Sequence, residues 1–110
     1  MKRTYLGEFE EIVLLTVGIL YKNAYAVAIK DEISEQTGRK VNISAVHTAL
    51  YRLEDKGFLE SKIGDAIAKR GGKRKRLFSV TSFGKIAVKE TMELRQKLWE
   101  QVPALAFNFS

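Results

Sequence analysis

The sequence contains no cysteine, which excludes disulfides, thiolate metal sites and thiol nucleophiles. It holds a single histidine, His47, and no glycine-rich phosphate-binding motif, and no nucleophile or paired acid stands beside that histidine. No enzyme, no cofactor and no metal are therefore expected. The acidic clusters Glu8/Glu10/Glu11 and Asp31/Glu32/Glu35 read as a helix start and a solvent face rather than as cation ligands. The longest apolar run, Ile12 to Leu20, is too short to span a bilayer and lacks the build of a signal peptide, so a cytoplasmic protein without a membrane partner is expected. The only proline, Pro103, falls near the end, and no repeat or low-complexity tract interrupts the chain.

What is present is a core-sized apolar fraction and a segregated charge. Apolar residues make up 45% of 110 residues, enough for one compact domain. A chain of this size keeps much surface per volume, which favours an oligomer. The net charge is +6, with residues 1–60 contributing −1, residues 61–85 +7 and residues 86–110 zero. One segment thus carries the whole positive excess. A solvated face usually mixes signs, so this segregation points to a polyanionic partner, with a merely soluble basic loop as the plainer alternative.

Hydrophobic spacing divides the chain into five elements. Phe9, Ile12, Val13, Val17 and Leu20 recur at helical intervals behind three glutamates, and Leu14, Leu15 and Ile19 widen the stripe. So wide a stripe must be covered from two sides. Lys22-Asn23 reads as a turn, and a second helix is predicted from about Tyr25 to Thr37, with Gly38 at its left-handed end. Arg39-Lys40-Val41 reads as a connector that could hold one β-bridge. Asn42 then caps a third helix over about Ile43 to Lys56, with Ile43, Val46, Leu50 and Leu53 inside an arc of about 80°.

From Phe58 the period changes to two. Strands are predicted at Phe58–Ile63 and Arg76–Val80, joined by a basic loop whose Gly71-Gly72 pair suits a hairpin tip. Thr81 or Ser82 caps a last helix running to about Val102, where Pro103 opposes continuation. The expected fold is mostly α with a small β-hairpin: a winged helix-turn-helix over residues 1–81, then a long C-terminal dimerisation helix and tail over 82–110.

That architecture suits double-stranded DNA. The major groove admits one α-helix, whose outer face reads base edges. On the third helix that face carries Ser44, Ala45, Thr48, Arg52 and Asp55, with Tyr51 and His47 on its flanks. Small Ser44 and Ala45 permit close approach, whereas Thr48, Tyr51 and Arg52 can donate to bases or phosphates. The loop cations Lys69, Arg70, Lys73, Arg74 and Lys75 would neutralise phosphates, giving affinity without much sequence choice. Blander roles stand beside these: Tyr51 as a surface-packed aromatic, Arg52 paired with Glu54 or Asp55, and His47 as a boundary residue.

The run from Val41 to Gly57, VNISAVHTALYRLEDKG, resembles the recognition helix of the PadR family of transcriptional regulators, with its Leu-Tyr pair and Leu-Glu-x-x-Gly ending. Arg76 to Gly84 is similar to that family's wing strand and its Thr-x-x-Gly start of the last helix, and Leu6 to Leu20 to its first helix. Asn42 stands where the family has a capping Ser, Ile43-Ser44 where Pro-Gly is common, and His47 where it has Tyr. A single helix after the wing resembles the shorter branch of the family.

The resemblance implies a homodimeric, sequence-specific transcriptional repressor. Its last helix would pack against its twin and against the first helix of the other subunit, with Leu94, Leu98, Trp99 and Val102 in the interface. Two recognition helices would then meet half-sites roughly 34 Å apart. Some members bind flat hydrophobic effectors between aromatic side chains at that interface, so Trp99, the only tryptophan, marks the place for a small hydrophobic effector. Its plainer role is interface packing. The apolar tail Ala104-Leu105-Ala106-Phe107-Asn108-Phe109 reads either as docked on the dimer or as disordered. The competing reading of the whole chain is a winged-helix protein–protein adaptor whose basic wing meets an acidic partner. Single-stranded nucleic acid fits less well, because only Phe78 interleaves the basic stretch.

Overall fold

The computed structural model describes residues 5–64 and 75–107. Helix α1 spans Glu8–Leu20, a 3₁₀ turn follows at Tyr21–Asn23, and α2 and α3 span Ala26–Thr37 and Ile43–Asp55. Strands β1 (Leu59–Ile63) and β2 (Arg76–Val80) form an antiparallel pair, and α4 (Ser82–Gln101) leads to a second 3₁₀ turn at Ala104–Phe107. The expected order of helices and hairpin is present throughout.

Local chemistry explains the element boundaries. The Glu10 carboxylate accepts from the Gly7 N–H at 3.1 Å, tying down the start of α1. Tyr21, at φ 52°, ends that helix. Gly38, at φ 72°, caps α2, its N–H donating to the Ser34 carbonyl at 2.9 Å. Asn42 Oδ1 accepts from the Ala45 N–H at 2.8 Å and opens α3. At the other end of α3, Gly57 adopts φ 80°, its N–H reaches the Glu54 carbonyl, and the Phe58 N–H reaches that of Leu53, both at 2.9 Å. This pairing is a Schellman motif. It commits the Phe58 N–H to the helix end, so β1 begins at Leu59, one residue later than the polarity alternation suggests.

One expectation fails. The connector Arg39-Lys40-Val41 forms no β-bridge. The isolated bridge lies instead between Tyr25 and Leu77, because the extended Ala24-Tyr25 segment runs beside β2 and the Phe78 N–H donates to the Ala24 carbonyl at 3.0 Å. Tyr25 is consequently the N-cap of α2 rather than its first residue.

The core lies where α1, α2 and α3 meet the inner face of the hairpin. Val13, Val17, Ile29, Ile33, Val46, Leu50, Leu53, Phe58 and Phe78 are all buried there. In β1 and β2, Leu59 pairs with Val80 and Ser61 with Phe78, so one face of the ribbon completes the core and the other stays open. Buried Thr16 satisfies its hydroxyl on the Ile12 carbonyl at 2.7 Å. Three ion pairs fasten the start of α1 to its surroundings: Glu8 with Arg39, Glu10 with Lys56 at 2.7 Å, and Glu11 with Arg95 of α4 at 3.0 Å.

Helix α4 leaves this body behind. Thr81 Oγ1 accepts from the Gly84 N–H at 2.9 Å as its N-cap, and Gly84 is the only buried residue in the helix. Its outward run contributes to principal extents of 60 × 38 × 20 Å. No helix among the described residues is long and apolar enough to cross a membrane.

Candidate nucleic-acid interface

Helix α3 sorts its residues cleanly. Val46, Ala49, Leu50 and Leu53 are buried, while Ser44, Ala45, Thr48, Tyr51 and Arg52 are exposed on the far side. The predicted reading face is therefore one continuous, uncovered strip. Arg52 makes no ion pair with Glu54 or Asp55 among the described residues. Glu54 is engaged elsewhere, accepting from the Ser61 hydroxyl of β1 at 2.5 Å, and that hydroxyl accepts from Arg76 at 3.0 Å. The Arg52 guanidinium is left at the surface with its fork of donors.

His47 occupies the edge of the strip. At 100° per residue it falls about 40° from Tyr51 and about 20° from Glu54. It therefore stands on the flank of α3 that Glu54 ties to the hairpin. Its ring stacks on Tyr51 with centroids 6.0 Å apart and an interplanar angle of 19°. Nδ1 is enclosed and has no hydrogen-bond partner among the described residues.

The hairpin adds cations beside this strip. Lys75 and Arg76 are exposed at the start of β2, and the Lys75 ammonium lies 5.9 Å from the centre of the Tyr25 ring. Lys69, Arg70, Lys73 and Arg74 lie outside the described residues, as does the Gly71-Gly72 pair. Sequence reasoning overlooked Tyr25 and Arg76 as neighbours of the interface. Arg76 was legible as the last cation of the basic run, but nothing local in the sequence brings Tyr25 to the root of the wing. The Tyr25–Leu77 bridge does that.

Charges near the reading helix are held by the start of α1. A hydrogen bond from Arg39 keeps the exposed Glu8 carboxyl below the ordinary glutamate range. Burial works against the charge on Glu10, but hydrogen bonds from Lys56 and from the Gly7 N–H outweigh it, and this carboxyl too is lowered. Among the described residues no group of three or more His, Asp or Glu side chains is placed to hold a metal ion.

The residues expected at a dimer interface sit on the distal half of α4. Leu94, Leu98 and Trp99 are 50%, 55% and 63% exposed, and Val102 is half-buried. Trp99 does not stand alone: the terminal 3₁₀ turn folds back and stacks Phe107 on it, with centroids 5.6 Å apart at 18°. The described part of the tail thus docks on its own helix. A hollow of about 540 Å³ adjoins the pair, lined by Gln96, Trp99, Glu100, Val102, Ala104 and Phe107. A second hollow of about 310 Å³ lies between α1 and the start of α4, against Leu15, Gly18, Val80 and Val88.

Comparison with known proteins agrees with this geometry. No curated protein sequence matches the chain. Among solved structures, RosR from H. salinarum is 26% identical, with 89% of this chain and 81% of that one covered at a TM-score of 0.67. A PadR family transcriptional regulator from Eggerthella lenta is 20% identical, with 92% and 88% covered at a TM-score of 0.70. Bacillus subtilis PadR, solved in complex with operator DNA, is 20% identical, with 76% and 47% covered at a TM-score of 0.63. The last two likenesses speak for the winged-helix fold alone. The sequence model of the transcriptional regulator PadR-like family matches residues 14–90, most of the chain including α2, α3 and the hairpin, and the protein belongs to that family.

Proposed function

We propose that this protein is a transcriptional repressor that binds specific double-stranded DNA sites as a homodimer, and that a small hydrophobic effector at Trp99 relieves repression. The observation that carries the reading is the bare outer strip of α3: five outward positions exposed among the described residues, beside the cationic root of the hairpin. Monomeric proteins have no packing reason to align such a strip with a cationic ribbon. A structural neighbour, Bacillus subtilis PadR, is solved with operator DNA, which supports the same use here.

In this reading residues 1–81 form the DNA-binding domain and residues 82–110 the dimerisation element. Ser44 and Ala45 allow α3 into the groove, Thr48, Tyr51 and Arg52 address base edges, and Lys69, Arg70, Lys73, Arg74 and Lys75 pair with phosphates. On α4, Ala87, Thr91, Leu94, Leu98 and Val102 lie within an arc of about 80°. Its first member, Ala87, packs against the core, and the same line continues into open space as Leu94 and Leu98, supporting a second copy as the cover.

Titrating salt against duplex affinity tests the proposal. With roughly 6–10 phosphate contacts, affinity falls about 10³- to 10⁵-fold between roughly 50 and 200 mM salt. Replacing Lys73, Arg74 and Lys75 by Ala weakens all sequences alike, whereas substitutions at Thr48, Tyr51 or Arg52 change the preference among them. If the wing variant bound random duplex as tightly as the parent, the electrostatic role of these cations would be wrong; a parent chain without salt-dependent duplex affinity would favour the protein adaptor.

A further inference from the structure

We infer that His47 is a one-way hydrogen-bond donor that fixes one base of the DNA site, through a tautomer imposed by the protein. The inference rests on the DNA-binding reading above and assigns chemistry to a residue outside the evident reading strip. Three observations carry it. Among the described residues Nδ1 is shut off from solvent and meets no partner, whereas Nε2 is not a buried atom left without one and makes no hydrogen bond to them. The ring is only half-buried and belongs to the second turn of α3, next to the N-terminal residues that reach base edges in helix-turn-helix docking. Tyr51 stacks against it nearly in parallel, which restricts the ring plane.

A neutral imidazole carries its proton on one nitrogen only. A proton on Nδ1 would bury an N–H without an acceptor, and buried donors left unpaired are rarer in folded proteins than buried acceptors left unused. The proton therefore belongs on Nε2, the open nitrogen. The outward edge of His47 then presents a single donor and no acceptor. In the major groove such a group accepts pairing with guanine O6 or N7, adenine N7 or thymine O4. It has nothing to offer the N4 amino group of cytosine, which is itself a donor. His47 is thus expected to exclude cytosine at one position of each half-site, on the strand it faces.

The protein has only one histidine, so its ring nitrogens can be observed without assignment ambiguity. In uniformly ¹⁵N-labelled protein at neutral pH, long-range proton–nitrogen spectra should show Nε2 protonated and Nδ1 bare. A proton on Nδ1 overturns the inference before any DNA is added. Selection from random duplexes should then show one base position per half-site at which cytosine is depleted. His47→Phe keeps the stack on Tyr51 and removes the donor; it should reduce discrimination against cytosine there by roughly 3- to 10-fold, a loss confined to that base position. His47→Gln, which returns an N–H, should restore part of it. Equal loss across all sequences in His47→Phe would mean a phosphate contact and sink the base assignment. A parent chain that binds no duplex would instead overturn the function proposed above, an outcome the free-protein spectra do not touch.

Discussion

Helix α3 buries Val46, Ala49, Leu50 and Leu53 within 13 residues, whereas α4, at 20 residues, buries only Gly84. Both helices carry a substantial apolar content, 7 of 13 residues in α3 and 8 of 20 in α4, but they differ more in what covers it. Around α3 the cover is supplied by α1, α2 and the hairpin of the same chain. Around the distal half of α4 the described residues supply little cover: the terminal turn lays Phe107 on Trp99, and Arg95 pairs with Glu11 of α1. The first region is complete as a single chain. The second carries an apolar line that runs past the edge of its own domain, and this asymmetry separates folding from association.

The sharpest way to break the complete region is to hollow it. Phe58, 1% exposed, packs against Phe83 with ring centres 5.1 Å apart. Phe58→Ala should lower unfolding free energy by about 3–5 kcal/mol, measured by urea denaturation. Next is the joint between the regions. A Cβ at Gly84 would lie 2.1 Å from the Phe58 carbonyl oxygen, so Gly84→Ala should cost about 1–3 kcal/mol or more. Gly18, within α1, has nothing within 4 Å of its would-be Cβ, so Gly18→Ala should leave unfolding unchanged or gain up to about 1 kcal/mol. The pair of glycine variants, compared by thermal melts, distinguishes a steric demand from helix propensity.

For the open region the effect moves from folding to association. Leu98→Ala should alter single-chain stability by less than about 0.5 kcal/mol, yet weaken the proposed dimer about tenfold by sedimentation equilibrium. Unchanged association would remove the α4 line as the seam. A smaller change is expected at the reading helix itself: Asn42→Ala removes the cap on Ala45 and should cost about 1 kcal/mol. Smallest is the acid response. Glu8 and Glu10 have folded pKa values below their ordinary value. Their contribution is present above about pH 4.3 and is lost as pH falls through the lowered folded values. In the Glu10→Gln variant the acid limb of a stability–pH curve should flatten.

Patterns of three, four and two made most of this fold legible. The stripes of α1 and α3, the caps Asn42 and Gly38, and the two strands of the hairpin follow from spacing and side-chain type. The strip on α3 was legible as the face opposite four apolar residues. What stayed hidden was tertiary. The Tyr25–Leu77 bridge joins positions 52 residues apart, and no local rule distinguishes it from a bridge at Arg39–Val41. Likewise the fold-back of Phe107 onto Trp99 needs a reversal after Pro103, whereas apolar composition alone allowed a docked or a loose tail. The enclosed Nδ1 of His47 is a matter of surroundings on all sides, which a helical projection does not convey.

The knot at the start of α4 has a mechanical consequence. Thr81 donates its hydroxyl to the Gly57 carbonyl at 2.7 Å, its N–H reaches the Phe58 carbonyl at 3.1 Å, and Gly84 leaves no slack against the same peptide. The base of α4 is thereby bolted to the last residues of the α3 terminus, while its tip projects about 30 Å away. A helix so mounted is a lever with its fulcrum beside the reading head. A swing of about 10° at the joint displaces the far end by about 5 Å, so in a two-fold assembly the pitch of this joint, together with the Glu11–Arg95 tie to α1, would govern how far apart the two heads stand.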